Sequence, residues 1–269
     1  MASLALRRSR LGWARSALTA RYSSARMNAA RKRCGAMGIT DIWHAQLEIL
    51  KAHHRCIAFD TRGAGRSEKP FPRVAYGVRR HARDLATVLD NLGVSRAVLV
   101  GHSMGGNIAL EFYSAHPARV AGIVFVGSYV AGSQIIAAGN RPELIRSAVS
   151  KHSSRVDFYT SVGLSAAIAI EATKWPLYAL LGNAESFLEF DGSSLLRKVR
   201  VPSLILHGDR DIVSPFEPCA TGLKAGLSDA TLIALKNVNH CPMTEDPATT
   251  NRHIEEFLSS RLNTARDWL

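Results

Sequence analysis

From residue 34 onward the apolar positions alternate between short unbroken runs and helical stripes. The runs Cys56-Ile57-Ala58-Phe59, Ala97-Val98-Leu99-Val100, 120–126 and Ser203-Leu204-Ile205-Leu206-His207 have no polar side of their own. Such runs predict strands buried on both faces, and 231–235 adds another. Between them the spacing turns helical. Ile42, Ala45, Leu47 and Leu50 recur at helical intervals over 41–50. Over 78–92, Leu85, Val88, Leu89 and Leu92 line one stripe that Gly93 stops. A helix over 104–115 ends at His116-Pro117, another lies near 216–225, and 247–262 carries Ile254, Phe257, Leu258 and Leu262 inward. Strands alternating with helices predict an α/β fold, a mostly parallel sheet with helices on both faces.

The alternation stops over 128–198. That stretch has no strand pattern and breaks into helical pieces over 142–150, 165–181 (interrupted by Pro176) and 184–190. Its low charge and its aromatic residues Phe158, Tyr159, Trp175, Tyr178, Phe187 and Phe190 suit a pocket lining. The expected organisation is a basic leader over 1–33, a first core segment over 34–128, a helical cap over 129–198 and a second core segment over 199–269.

Composition changes this picture at one place. The chain of 269 residues carries a formal charge of +12, which invites a nucleic-acid reading. Nine of its 34 Lys and Arg lie in 1–33 with no acid among them, leaving 25 basic against 22 acidic residues elsewhere. The charge belongs to the leader and not to a binding face, so no nucleic-acid partner is expected. An Arg-, Ser- and Ala-rich leader has the composition of a mitochondrial transit peptide; without targeting, a cytoplasmic location is expected. No apolar run is long enough to span a bilayer. Cys34, Cys56, Cys219 and Cys241 show neither paired nor metal-ligand spacing and predict separate reduced thiols.

The candidate chemistry begins at Gly101-His102-Ser103-Met104-Gly105-Gly106, between a strand run and a helix. A Gly-x-Ser-x-Gly turn in that context lifts the serine hydroxyl clear of the sheet and aims helix N-terminal amides at developing negative charge. A serine needs a base, and the base needs an acid to hold its tautomer. Asp211 and His240 follow, in that order, each after a predicted strand. Asp209 competes with Asp211 for the acid role. No carboxylate follows the run ending at Val126, where the text is Gly127-Ser128-Tyr129.

Four segments together resemble the α/β-hydrolase fold-1 family, near its esterases, enol-lactonases and cofactor-free haloperoxidase-like enzymes. They are Asp60-Thr-Arg-Gly-Ala-Gly-Arg-Ser67, Gly101 to Gly106, His207-Gly-Asp-Arg-Asp-Ile-Val-Ser-Pro215, and Asn239-His240 followed by Glu245-Asp246-Pro247. The resemblance implies a catalytic triad of Ser103 as nucleophile, His240 as general base and Asp211 as the orienting acid, with neither metal nor organic cofactor. It favours Asp211 over Asp209 by position between Gly208 and Pro215. It implies an oxyanion hole from the backbone amide of Met104 and from the loop after the family's third strand, where Cys34-Gly35 points to Ala36. His102 is then a packed residue of the elbow, and Cys241 an inert neighbour. Residues 1–33 hold no run of β-formers, so the family's N-terminal strands, including one in mid-sheet, are expected to be missing. The function implied is hydrolysis of a small carboxylic ester or lactone through an acyl-enzyme. An inactive relative acting as a binding protein is the competing reading.

Overall fold

The computed structural model describes the backbone of residues 20–22 and 32–38 and the whole of 40–262. The targeting expectation for 1–33 falls mostly outside these residues. The described residues form a seven-stranded sheet in the order β1-β3-β2-β4-β5-β6-β7. Its strands are β1 (Ala20–Tyr22), β2 (Lys32–Gly38), β3 (His54–Asp60), β4 (Ala97–His102), β5 (Val120–Val126), β6 (Ser203–Gly208) and β7 (Ala230–Leu235). β1 runs antiparallel to β3; every other pairing is parallel.

β2 corrects an expectation. The mid-sheet strand expected to be missing is present: Lys32–Gly38 pairs with His54–Asp60 along its whole length and, over Cys34–Met37, with Val98–Gly101. Its sequence, Lys-Arg-Cys-Gly-Ala-Met-Gly, contains no β-branched residue. Pairing on both sides satisfies its backbone donors and acceptors, and that tertiary gain overrides weak local propensity. β1 and the first two residues of β2 thus lie within the expected leader.

The sheet's faces are sorted by alternation. Leu99, Ile123, Phe125 and Ile205 pack with α2 (Val78–Asn91) and α3 (Met104–Ala115) in one core. Val98, Val100, Val124 and Leu204 turn the other way, onto Trp43, α1 (His44–Leu50) and α12 (Pro247–Arg261). Strands covered on both faces have no polar side to show, which is why β4, β5 and β6 read as continuous apolar runs.

Between β5 and β6 stand six helices among the described residues: α4 (Gly132–Ala137), α5 (Pro142–Ser150), α6 (His152–Ser161), α7 (Ala166–Ala172), α8 (Leu177–Glu189) and α9 (Ser193–Leu196). A bridge between Ala131 and Asp191 draws the two ends of this excursion together. Within it the buried Arg155 guanidinium donates to the carbonyls of Val149, Thr173 and Trp175, tying three segments of the insertion to one another. α10 (Thr221–Gly226) and α11 (Pro242–Glu245) complete the second half of the chain. No helix among the described residues is long and apolar enough to cross a membrane.

Candidate active site

Ser103 sits between β4 and α3 at φ 52° and ψ −121°, a conformation that L side chains rarely adopt and that the surrounding structure must impose. The neighbouring glycines show how. A Cβ on Gly101 would stand 2.4 Å from the carbonyl carbon and oxygen of Gly105. One on Gly106 would stand 2.5 Å from Ser128 Oγ. The turn closes only because both side chains are absent. It is pinned by Ser103 N donating to Val126 O at 2.9 Å and by Ser128 Oγ donating to Ser103 O at 2.9 Å. Ser128 is an anchor with no local sequence signal, because its role depends on a backbone carbonyl 25 residues away. Met104 opens α3, so its N–H is among the amides that a helix cannot use internally.

Asp211 and His240 arrive on the loops after β6 and β7. His240 Nδ1 lies 2.8 Å from Asp211 Oδ2. Both side chains are buried, the carboxylate completely. The other carboxylate oxygen, Oδ1, accepts from the backbone N–H groups of Val213 and Ser214, at 2.9 and 2.8 Å. Oδ2 also receives the Ser214 hydroxyl at 2.9 Å, and His207 Nε2 stands 3.2 Å away while donating to Ser214 O. Burial by itself pushes the Asp211 carboxyl up. The charge of His240 and the hydrogen bonds from His207 and His240 outweigh it and hold the group well below the usual carboxylate range. Asp209, the rival acid, is exposed and accepts from Asn237 N at 2.7 Å, where it serves the turn before His240.

The loop carrying His240 is fixed at several points. Glu245 accepts from Asn239 N and Cys241 N at 2.9 and 2.8 Å, bracketing the histidine. Asn239 joins the other loops, accepting from Ile212 N and donating to Ser161 O. His102 Nε2 donates to His240 O at 2.8 Å, and the two imidazoles lie 4.7 Å apart. Burial, reinforced by His240, pushes His102 down to about 3. A neutral imidazole bound to a carbonyl is a support for the loop and a poor candidate for a second base. Burial also pushes the Cys241 thiol well above its ordinary range, so it stays protonated.

Ser103 and His240 share a cavity of about 270 Å³ whose other walls come largely from the insertion. Ile135, Val149, Phe158, Trp175, Leu180 and Phe187 make it apolar, while Thr61, Asn183 and Tyr159 bring polar groups to it. Of the six aromatic residues expected to line a pocket, Phe158, Tyr159, Trp175 and Phe187 do so. Tyr178 instead donates to Lys69 O, and Phe190 packs on the core. The loop after β3 borders the cavity through Thr61 and Ala64 and is organised by Asp60, which accepts from Thr40 N, Thr40 Oγ1 and Arg66 N.

Ala36 does not occupy the place expected of it. It lies inside β2, opposite Ala58 on one side and Val100 on the other. An oxyanion donor belongs at the open C-terminal end of the strand, so Ala36 is withdrawn from that role. Cys34-Gly35, taken as the start of a loop, is strand because the sheet continues to Gly38.

Comparison with known proteins agrees with this architecture. The sequence model of the alpha/beta hydrolase fold matches residues 34–150. A relative from Variovorax paradoxus, named "Putative carbamate hydrolase RutD", is 29% identical over 257 residues, covering 84% of this chain and 89% of its own. The bifunctional esterase/perhydrolase DCH of Acinetobacter calcoaceticus is 27% identical over 244 residues, covering 82% and 88%. The crystal structure of a bromoperoxidase from Bacillus anthracis superposes with a TM-score of 0.77 at 22% identity, covering 90% of this chain and 95% of that one. By sheet order, by the strained serine between strand and helix, and by these relatives, the chain has the alpha/beta hydrolase fold and is similar to hydrolases built on it.

Proposed function

We propose that the chain cleaves a small carboxylic ester or lactone through an acyl-enzyme, with Ser103 as nucleophile, His240 as base and then acid, and Asp211 as the group that orients His240. The observation that carries this reading is the Asp211–His240 pair opening, with Ser103, onto one apolar cavity. Asp211 holds the proton on His240 Nδ1, which leaves Nε2 free to accept the Ser103 proton as Oγ bonds to the carbonyl carbon. The tetrahedral oxyanion is received by the Met104 amide at the start of α3. On collapse His240 gives the proton to the departing alkoxide. Water then repeats the sequence on the acyl-enzyme. The apolar walls favour an uncharged substrate whose acyl part is partly hydrocarbon. The similarity to the esterase/perhydrolase of Acinetobacter calcoaceticus supports an ester among the possible substrates.

A fluorophosphonate probe tests the nucleophile directly. The native chain should be labelled at Ser103, and Ser103→Ala should abolish labelling; an unlabelled native chain rejects the reading and leaves a binding role. His102 makes a separate prediction. Because burial holds its imidazole neutral down to about 3, His102→Gln, which can still donate to His240 O, should leave the pH midpoint of kcat/KM for p-nitrophenyl butyrate unmoved. A displaced midpoint would make His102 one of the titrating groups of the reaction.

A further inference from the structure

We propose that Asn183 is a specificity-determining donor of the pocket, its side-chain amide binding an oxygen carried on the substrate's acyl chain, so that keto-acyl esters are preferred over plain alkyl ones. This rests on the serine-hydrolase reading of Ser103 and His240 and adds to it the class of acyl group. Asn183 stands on α8 and lines the cavity that contains Ser103. Its Oδ1 lies 2.9 Å from Nε2 of His81, a residue of α2 that is 1% exposed. A carbonyl oxygen only accepts, so the His81 proton is on Nε2. Burial outweighs the bond to Asn183 and pushes His81 down to about 4, so the imidazole is neutral wherever such an enzyme would work.

With Oδ1 engaged, the amide has one orientation. Its Nδ2 has no protein acceptor among the described residues and is not sealed from solvent, in contrast to Trp175 Nε1 and the Tyr129 hydroxyl, which line the same cavity but are closed off. Gly63 keeps that side open. It stands at φ +87°, and a Cβ there would come within 3.2 Å of Nδ2. One turn further along α8, Ser186 Oγ accepts from Val78 N at 2.9 Å, so a second bond holds α8 to α2 just beyond the amide. In an otherwise apolar pocket a held, unpaired donor costs affinity against a hydrocarbon chain and returns it when an acceptor arrives. A neutral amide does this for a ketone or amide oxygen without demanding a charged substrate.

The test is a ratio. Values of kcat/KM are measured for p-nitrophenyl 4-oxopentanoate against pentanoate and for 5-oxohexanoate against hexanoate, so that losses common to each pair cancel. The native chain should favour at least one oxo ester, and Asn183→Leu should lower that ratio by about tenfold. His81→Leu, which frees the amide to turn, should lower it in the same direction. Asn183→Asp removes both donors at constant size and should repeat the loss if the leucine variant does not fold. A ratio unmoved in the folded variants, or a native chain that favours neither oxo ester, overturns the assignment while leaving the hydrolase reading intact. A native chain that turns over no ester and takes no fluorophosphonate overturns both.

Discussion

Replacing His240 with alanine is expected to lower kcat for a p-nitrophenyl ester by about a millionfold, to the level of Ser103→Ala, and the double substitution should cost no more than either alone. The size follows from the two groups acting as one unit: a serine hydroxyl without its base is no better than water, and a base without its serine has nothing to deprotonate. The structure offers no substitute. His102 is the other imidazole at the cavity, but its Nε2–H is committed to His240 O and burial keeps it neutral. His207 is sealed behind Asp211 and donates to Ser214 O. A His240→Ala variant that folds and keeps more than about a hundredth of native activity would show that another group takes the Ser103 proton. The residual rate of both variants reports the oxyanion donors and the cavity alone.

How far the sequence foretold this site depends on what each residue responds to. β4, β5 and β6 were legible because burial on both faces leaves an uninterrupted apolar run, and α2 because its stripe ends cleanly before Gly93. The positions of Ser103, Asp211 and His240, at a strained turn and on two strand-end loops, were legible from local spacing; their catalytic roles are the proposal. β2 was not, since nothing in Lys-Arg-Cys-Gly-Ala-Met-Gly favours a strand until β3 and β4 lie on either side of it. The same gap misplaced Ala36 by treating mid-strand as loop. Within the insertion, Pro176 was read as an interruption in one helix; it separates two, α7 and α8, and precedes the first residue of the second. Ser128, Ser214 and the His81–Asn183 pair carried no local signal at all. Each acts on a partner far away in sequence or through a loop whose shape the fold alone determines.

Asp211→Asn should cost about 10⁴-fold in kcat with little change in KM, through the tautomer of His240 and not through loss of the fold. The backbone amides of Val213 and Ser214 both point at Oδ1, so the asparagine carbonyl must take that place and its NH2 must take the place of Oδ2. There it faces His240 Nδ1. A donor facing Nδ1 holds that nitrogen as an acceptor and drives the imidazole proton to Nε2, the atom that has to receive the proton from Ser103. His207 Nε2–H, 3.2 Å from the same position, becomes a donor facing a donor and adds to the misfit. Asp209→Asn gives the contrast, because Asp209 touches Asn237 N and not the imidazole; its loss should be confined to a few-fold. The two variants, measured with p-nitrophenyl butyrate and compared by thermal unfolding, separate the acid of the triad from its neighbour two residues away. Equal losses in both would place the orienting carboxylate at Asp209 or spread the role over the whole loop, and would remove Asp211 from the mechanism proposed for Ser103.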